Sequence, residues 1–486
     1  MNFAEDVLER FPASRPALLA ISREGERRVW HFGEMAAMSA GLSGALAARG
    51  IRRGDVVMTL IGSRVEWVLA LLACWRIGAV ALPCSTQLRR RDLEHRVAIA
   101  GPALCVGEEH LLAELPPGPE AMALAEVAAA LDEDRAQEPP AAVAELDSED
   151  PALIVFTSGT TGEPRAALHA QRYLSGQRAQ AEHWLGARDG ELVWCTTATG
   201  WSKSARNVFV APWLCGAAAM LVDARFEASE RLALAEREGV NVLCQAPTEY
   251  RALAKRTELR PIASLRRLVS AGEALEPEVI AAFRDGLGLE IHDGYGQTET
   301  GHLTGNLVGE ELRIGSMGRP LPGFELRVEG RETSDAPGAL EVRVASCPTF
   351  FSRYLDEGSF DGEWWSTGDV VREDADGYLF HEGRSDDLIL SAGYRIGPFE
   401  VESALLTHPA VAEAAAVQAP DPERGSVVRA IVVLSAGEPS EALARELQEH
   451  VKAVTAPYKY PRIVEFAAEL PRTPSGKLKR AALRPR

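Results

Sequence analysis

A run of hydroxyl and glycine residues follows directly after an apolar segment. Residues 157–165 read Thr-Ser-Gly-Thr-Thr-Gly-Glu-Pro-Arg and come after Leu153-Ile-Val-Phe156, which is typical of a buried strand. Glycines let the backbone approach a ligand, while hydroxyl and N–H groups donate to phosphate oxygens. The run is not a Walker A loop, because G-x-x-x-x-G-K-[ST] is absent. It predicts a phosphate-binding loop with the candidates Thr157, Ser158, Gly159, Thr160, Thr161, Gly162 and Arg165.

A second group of chemically capable residues lies within Asp293-Gly-Tyr-Gly-Gln-Thr-Glu-Thr300. Tyr295 stands between two glycines, so its ring can lie against a flat ligand ring without crowding. Thr298 can donate to a phosphate, and the Glu299 carboxylate is a hard ligand suited to a divalent cation such as Mg²⁺. Further along, Asp369 can accept two hydrogen bonds from ligand hydroxyls, and Arg384 can supply complementary donors.

Lysine is rare in this chain, which makes its positions informative. There are six lysines against 46 arginines, and four of the six lie in the last 35 residues. Lys477 is a compact, mobile ammonium of the kind that can stabilise charge developing between a carboxylate and a phosphate. The segment 451–486 carries nine basic and two acidic residues, while the whole chain has a net charge of −18. We expect small anionic ligands and no nucleic acid.

The elements that must position these residues follow an α/β pattern. Apolar runs that end in glycine-containing turns alternate with helical patterns, which indicates a sheet whose ligand loops share one edge. A segment rich in Gly, Asp and Arg, 377–397, precedes a second small α/β unit. We place the boundary near Ser385–Asp386, giving a large multi-lobed α/β domain, 1–385, and a smaller α/β domain, 386–486. The predicted elements are strands Asp55–Ile61, Leu153–Phe156, Leu268–Ser270 and Leu289–His292 and helices Val65–Ile77, Ala121–Leu131 and Phe399–Leu406.

Length and composition limit the class of protein. A chain of 486 residues is too long for one compact core, and 46% hydrophobic with 25% charged residues is an ordinary globular balance. The seven cysteines are scattered without C-x-x-C spacing, which disfavours a disulfide framework or a zinc site. The longest apolar runs are interrupted by Arg76 and Pro212, so we expect no membrane span. With no signal-peptide pattern at the first residues, we expect a cytoplasmic location.

Seven motifs together resemble those of the adenylate-forming superfamily, which contains acyl-CoA synthetases, luciferases and peptide synthetase adenylation domains. They occur in the family's order across about residues 153–480. The matching segments are 156–165, Ser270-Ala-Gly-Glu273, 293–300, Gly315-Ser-Met-Gly-Arg-Pro320, Trp365-Ser-Thr-Gly-Asp369, Gly383-Arg-Ser-Asp-Asp387 and Pro471-Arg-Thr-Pro-Ser-Gly-Lys477.

The resemblance implies a two-step reaction with ATP, Mg²⁺ and coenzyme A. A carboxylic acid would attack the α-phosphate to give an acyl-adenylate, and CoA would then take the acyl group. Lys477 would serve the first step, and the small domain would rotate about Asp386 between the two steps. By the same resemblance, nucleotide contacts would come from Gly272, Glu273, Asp293, Gly294, Tyr295, Gly296, Gln297, Asp369 and Arg384. Arg165 stands where the family usually has lysine.

Within the superfamily, three segments look most like medium-chain acyl-CoA synthetases: Thr199-Gly-Trp-Ser-Lys-Ser204, Ser391–Glu400 and Ala456–Arg462. That likeness implies a pantetheine path and contacts to the CoA or nucleotide phosphates. The path would be lined by Ala392, Gly393 and Tyr394, and the phosphate contacts would be Arg395, Arg424 and Lys452. Trp201 and Gly296 would border the acyl pocket, although a packed tryptophan is an equally ordinary role for Trp201.

Two other functions remain open at this point. An adenylating enzyme that loads an acyl carrier protein would need the same adenylation residues, and Arg424 and Lys452 are what favours free CoA. A non-catalytic nucleotide-binding protein is disfavoured because Thr298, Glu299, Asp369, Arg384 and Lys477 are all present. The segment around Trp201 offers no carboxylate for an amino group, which favours a non-amino acid. Medium-chain, branched and aryl acids all stay possible.

Overall fold

The computed structural model describes residues 2–485 except 133–137, 158–163, 274, 332, 334, 335, 386, 388, 392, 393, 422–424 and 473–477. For residues 390, 394, 395 and 425 it describes the backbone alone. The chain folds as a mixed α/β protein, so the predicted fold class is confirmed.

The largest sheet has nine strands. Its six central strands are parallel, and antiparallel strands close both edges. In sheet order the strands are Arg319–Pro320, Gly301–Gly305, Ile291–Gln297, Arg267–Ala271, Val242–Gln245, Leu192–Cys195, Ala218–Val222, Pro16–Ile21 and Arg27–His31.

A second sheet of seven strands contains five parallel strands and two antiparallel ones at one edge. In sheet order they are Arg353–Tyr354, Ala166–Ala170, Pro151–Phe156, Val80–Pro83, Val56–Leu60, Leu104–Gly107 and Glu120–Ala123. The last of these differs from the prediction of a helix over Ala121–Leu131. Residues 120–123 pair in parallel with Leu104–Gly107, and the helix begins only at Leu124, because edge pairing overrides the helical propensity of alanine.

Three smaller sheets complete the fold. A four-stranded antiparallel sheet comprises Leu326–Glu329, Gly338–Arg343, Trp364–Glu373 and Leu379–Arg384. Beyond it come the pair Ile389–Ser391 and Tyr394–Ile396 and the three-stranded sheet Val411–Asp421, Gly425–Leu434 and Ile463–Phe466. Helices Pro398–Leu406 and Glu441–Val454 contribute buried residues to the same hydrophobic cluster as these last strands. The predicted boundary at 385/386 stays a prediction.

Helices cover the two large sheets and link them. Val65–Ile77 has the predicted bounds and ends at Gly78, whose φ of 74° closes the last turn in the left-handed region. The remaining α-helices are Phe3–Asp6, Phe32–Ala48, Arg90–Ala100, Glu109–Leu112, Leu124–Leu131, Gln171–Gly176, Arg178–Gln180, Ser202–Ala205, Ala211–Leu214, Ala228–Glu238, Pro247–Arg256 and Pro277–Leu287. Two π-helices span Ala181–Leu185 and Arg206–Val210, and 3₁₀ turns span Val344–Ser346, Pro457–Lys459 and Arg480–Leu483.

The main core lies between the two large sheets. Trp67 and Trp75 of the buried helix are fully enclosed and pack on Phe209, with ring centroids 5.6 and 6.0 Å apart. This packing fixes the carboxyl ends of the parallel strands of the two sheets relative to each other. Ligands of such folds bind at these carboxyl ends. Within the described part of the chain, no helix has both the length and the apolar character that crossing a bilayer requires.

Candidate active site

One cavity of about 1430 Å³ collects most of the predicted site residues that the structure describes. It opens at the carboxyl ends of strands Pro151–Phe156, Arg267–Ala271 and Ile291–Gln297 and faces the strand pair 364–384. Thirteen predicted residues line it: Thr157, Arg165, Gly272, Glu273, Asp293, Gly294, Tyr295, Gly296, Gln297, Thr298, Glu299, Asp369 and Arg384. Residues far apart in the chain are therefore brought to one surface.

The motif 293–300 is shaped differently from the prediction. A strand was expected to end near His292 and to lead into a glycine turn, but the strand Ile291–Gln297 runs through the motif. Gly296 lies opposite His302 in the antiparallel partner strand, and a Cβ on Gly296 would lie 1.9 Å from the Gly301 carbonyl oxygen. Glycine is required there because the neighbouring backbone occupies the space of a side chain.

Asp369 is a buried carboxyl group of the cavity with several polar neighbours. It lies in Trp364–Glu373 directly opposite Arg384 and is only 4% exposed. Oδ2 accepts hydrogen bonds from the Tyr295 hydroxyl and from Gln297 Nε2 at 2.9 Å, and Arg384 Nη1 lies 3.5 Å away. His381 Nε2 lies 3.2 Å from Oδ1.

The protonation state of Asp369 follows from these neighbours. Burial, the largest influence, raises the pKa, but the hydrogen bond with His381 and the charge of Arg384 outweigh it and hold the pKa of Asp369 below its ordinary value. The carboxylate is therefore an ionised acceptor. Burial and the adjacent Asp369 charge raise the pKa of Tyr295, so its hydroxyl stays a donor.

A chain of contacts leads from Arg165 to Glu299. Arg165 Nη2 donates to the Tyr354 hydroxyl at 2.8 Å, and its guanidinium lies 4.0 Å from the centre of the Tyr354 ring. The Tyr354 hydroxyl in turn donates to Glu299 Oε1 at 2.6 Å. Arg165 also pairs with Glu357 at 3.0 Å. A planar guanidinium can make these contacts together, which gives a physical role to arginine at this position.

The ends of the predicted phosphate loop are joined by two hydrogen bonds. Thr157 N donates to the Arg165 carbonyl at 2.9 Å, and Arg165 N donates to Thr157 Oγ1 at 3.1 Å. Ser158, Gly159, Thr160, Thr161 and Gly162 lie outside the described residues. The loop thus begins and ends at the cavity wall.

The cavity wall fits a nucleotide and its metal ion. Asp293 Oδ1 and Trp365 Nε1 are buried and unpartnered, which leaves a carboxyl oxygen and an indole N–H for a heterocyclic base or sugar. No group of three or more His, Cys, Asp or Glu side chains able to hold a metal occurs among the described residues. Mg²⁺ is commonly held by one or two carboxylates together with substrate phosphates, and the carboxylate of Glu299 lines this cavity.

The far wall comes from the C-terminal part of the chain. Arg472 and Leu478 form an isolated antiparallel bridge and both line the cavity. They bracket residues 473–477, so Lys477 lies outside the described residues, as do Asp386, Ala392, Gly393 and Arg424. Tyr394 and Arg395 are described by their backbone alone.

Of the predicted residues whose side chains the structure describes, two do not line this cavity. Trp201 is half-buried and precedes the helix Ser202–Ala205. Lys452 lies on Glu441–Val454, where its Nζ contacts Glu449 Oε1 at 2.5 Å and lies 4.2 Å from the Tyr460 ring centre. Neither placement brings these side chains to the nucleotide end of the cavity.

Several residues that contact the predicted site residues are not predicted from the sequence. His381 and Tyr354 act only through cross-strand or through-space contacts, and no local spacing marks them. Lys203 lies behind Gly272, its Nζ donating to the Ala271 carbonyl. It is one of only six lysines and lies in the segment 199–204. The rarity of lysine in this chain could therefore have marked it as a functional residue.

Comparisons with known proteins identify the family. A family model described as AMP-binding enzyme matches residues 4–354, and one described as AMP-binding enzyme C-terminal domain matches residues 400–477. The acyl-coenzyme A synthetase ACSM3, mitochondrial, of Mus musculus is 38% identical, with 99% of this chain and 90% of the relative covered.

Two solved structures share the whole architecture. The anthranilate CoA ligase AuaEII in complex with anthranoyl-AMP is 30% identical with a TM-score of 0.86, covering 99% of this chain and 96% of the other. A benzoate CoA ligase from Burkholderia xenovorans LB400 is 27% identical with a TM-score of 0.88, and both chains are covered fully. The chain therefore belongs to the AMP-binding enzyme family, as an AMP-forming acid–CoA ligase that uses ATP, Mg²⁺ and coenzyme A.

Proposed function

We propose that the cavity holds ATP and a medium-chain, branched or aryl carboxylic acid side by side and that CoA is the final acyl acceptor. The observation that carries this proposal is the meeting of thirteen predicted residues on one cavity around an ionised, buried Asp369. The relatives named as anthranilate and benzoate ligases support an aryl acid. The motif around Trp201 supports a medium-chain one.

The adenosine part of ATP contacts the strand pair and the motif 293–297. Asp369 accepts hydrogen bonds from the ribose hydroxyls, and Arg384 supplies donors beside it. The Tyr295 ring lies against the base, because Gly294 and Gly296 leave both sides of it uncrowded. Gly272, Glu273, Asp293 and Gln297 complete this end of the site.

The phosphates contact the opposite wall. Thr157, the loop residues 158–162 and Thr298 donate hydrogen bonds to phosphate oxygens. Glu299 contributes a carboxylate to Mg²⁺, which supplies positive charge beside the phosphates. Arg165 orients Glu299 through Tyr354 rather than acting as a simple point charge.

The reaction has two steps, formation of the acyl-adenylate and formation of the thioester. A carboxylate oxygen attacks the α-phosphorus, an O–P bond forms, and the bond to the pyrophosphate oxygen breaks. Lys477 stabilises the charge that develops in this displacement. The CoA sulfur then attacks the acyl carbon, a C–S bond forms, the C–O bond to AMP breaks, and the thiol proton is released.

The small domain, 386–486, rotates about Asp386 between these steps. Arg472 and Leu478 line the cavity, which supports the arrangement in which the segment bearing Lys477 faces ATP. For thioester formation, Ala392, Gly393 and Tyr394 replace that segment and line the pantetheine path. Arg395, Arg424 and Lys452 would then meet phosphates of CoA.

An acyl carrier protein is the second candidate acceptor. It needs the same adenylation residues but no cations for the CoA phosphates. The Glu449 contact of Lys452 partly neutralises one of those cations, which is the observation that keeps this candidate. We also propose a cytoplasmic location, because all seven cysteines are free. The mouse relative is named as mitochondrial.

A substrate screen tests the proposal. Pyrophosphate release is measured with ATP, Mg²⁺ and a panel of medium-chain, branched and aryl acids, with CoA, with a carrier protein bearing phosphopantetheine, and with neither. We expect turnover to need CoA and to yield AMP and an acyl-CoA. Faster acylation of the carrier protein than of CoA would replace CoA as the acceptor, and no pyrophosphate release with any acid would overturn the proposal.

A further inference from the structure

Four buried polar side chains form a group that the reaction described above does not use. His169, Tyr173, Arg206 and His302 are each at most 3% exposed. Both ring nitrogens of His169, the Tyr173 hydroxyl, Nε and Nη1 of Arg206 and Nε2 of His302 have no hydrogen-bond partner. Buried polar atoms are normally paired, so this many orphans in one place need an explanation. We call these four residues the buried polar cluster.

The buried polar cluster lies directly behind the glycines of the cavity wall. A Cβ on Gly294 would lie 2.5 Å from His302 Nε2, and one on Gly296 would lie 2.8 Å from His302 Cα. His169 faces the backbone of Thr298, another cavity residue. Only the backbone of Gly294 and Gly296, two residues that line the cavity, therefore lies between this part of the cavity and His302.

Arg206 carries a positive charge that no described residue balances. No carboxylate among the described residues pairs with it, and its Nε and Nη1 have no hydrogen-bond partner. Burial, reinforced by the charge of Arg206, lowers the pKa of His169 to about 3 and that of His302 well below its ordinary value, so both rings are neutral. An uncompensated buried guanidinium is costly, which points to a ligand as its partner.

Two π-helices shape the walls of the buried polar cluster. Arg206 begins the π-helix Arg206–Val210, and Trp184 of the π-helix Ala181–Leu185 stacks on His302 with ring centroids 3.9 Å apart. Gln180 Nε2 donates to Asn207 Oδ1 at 2.9 Å and ties the two segments together. Isolated π-helical turns occur frequently at functional sites, so this geometry independently favours a ligand role.

We propose that the buried polar cluster is the distal end of the acyl pocket and that the preferred acid carries a second carboxylate, which pairs with Arg206. The inference rests on the proposed function, since it specifies the acid that the same cavity activates. A guanidinium binds a carboxylate through two parallel hydrogen bonds, and Tyr173 and His169 can donate to the same group. A plain hydrocarbon tail would leave these donors unpaired. Sites built to hydrogen-bond a substrate group strongly reject substrates that lack that group.

Matched pairs of acids test the inference. Pyrophosphate release is measured with octanoate against suberate and with benzoate against terephthalate. We expect the wild-type enzyme to prefer the dicarboxylates in kcat/KM. Arg206→Met should lower that preference by about thirtyfold or more, because it removes one partner of a buried charge pair. Arg178→Met, at an exposed arginine paired with Glu182, is the control and should leave the preference unchanged.

Stability measurements separate a binding role from a structural one. Without acid, Arg206→Met should melt at the wild-type temperature or above it, because an unpaired buried charge has been removed. Suberate should raise the melting temperature of the wild type but not that of Arg206→Met. Tyr173→Phe, which removes one donor, should lower the use of suberate by about tenfold while sparing octanoate.

The outcomes are distinct. Equal use of octanoate and suberate by the wild type, with no change of the ratio in Arg206→Met, would overturn the inference and leave the proposed function standing. A lower melting temperature and an equal loss on all acids in Arg206→Met would make Arg206 structural and also overturn it. If no acid releases pyrophosphate with the wild type, the proposed function itself fails.

Discussion

Asp369 can accept hydrogen bonds from ATP as a carboxylate because its neighbours offset the effect of burial on its pKa. A buried carboxyl group tends to become protonated, and a protonated Asp369 would lose acceptor capacity. The hydrogen bond with His381 and the charge of Arg384 hold its pKa low, and the Tyr295 and Gln297 donors satisfy Oδ2. Oδ1 has only the His381 contact and keeps capacity for a ligand hydroxyl.

Replacing Asp369 with Asn tests this role. The amide cannot accept as strongly as a carboxylate, so Asp369→Asn should raise the KM for ATP by about ten- to hundredfold and leave the KM for the acid nearly unchanged. Initial-rate kinetics of pyrophosphate release measure both. Glu373→Gln, at the far end of the same strand, is the control. An unchanged KM for ATP in a folded Asp369→Asn enzyme would remove Asp369 from the nucleotide site.

Glu299 is expected to act through its negative charge. Glu299→Gln should keep the Tyr354 contact, since an amide oxygen also accepts a hydrogen bond, but it should weaken the use of Mg-ATP. We expect the Mg²⁺ concentration for half-maximal rate to rise by about tenfold or more. Titration of the rate with Mg²⁺ measures the change, with Glu290→Gln as a control. A Mg²⁺ curve that matches the wild type would contradict the assignment.

At the scale of elements, the sequence predicted what depends on local pattern. The helix Val65–Ile77 has its predicted bounds because an unbroken apolar run ends at Arg76 and Gly78. The strand expected to stop near His292 continues to Gln297, because pairing with Gly301–Gly305 extends it through two glycines. That pairing joins segments whose match no local spacing reveals. The same limit hid His381 and the buried polar cluster, whose members meet only in the folded chain.

Gly296→Ala tests the paired form of that strand. The added Cβ would lie 1.9 Å from the Gly301 carbonyl oxygen, so the two strands must move apart. We expect the free energy of unfolding to fall by about 1–3 kcal/mol, measured by denaturant titration. Gly41→Ala is the control, because a Cβ in that helix meets its nearest atom at 3.5 Å and alanine favours helix. Equal stability of Gly296→Ala and wild type would contradict the pairing.

At the scale of the whole molecule, one active site must serve two reactions. The described arrangement places Arg472 and Leu478 at the cavity. In the proposed mechanism, the segment containing Gly393 takes the same place for thioester formation, which requires the small domain to rotate. Two variants, one on each of these segments, should therefore have opposite defects.

Lys477→Ala should lower adenylate formation from acid and ATP by about a hundredfold or more while sparing thioester formation from pre-made acyl-adenylate. Gly393→Leu should show the reverse, because a side chain narrows the pantetheine path. Pyrophosphate release and acyl-CoA formation are measured separately, with Lys479→Ala as a control. Loss of both half-reactions together in folded Lys477→Ala enzyme would contradict alternation.

Arg424→Ala and Lys452→Ala should raise the apparent KM for CoA but not the KM for ATP.

The central claim is that the acid's own carboxylate oxygen attacks the α-phosphorus of ATP. The most direct measurement uses an acid whose two carboxylate oxygens are heavy-isotope labelled, followed by mass spectrometry of the products after complete turnover with CoA. The account predicts one labelled oxygen in AMP and none in pyrophosphate, because the C–O bond to AMP breaks when sulfur attacks the acyl carbon. Unlabelled AMP, or label in pyrophosphate or free phosphate, would contradict it.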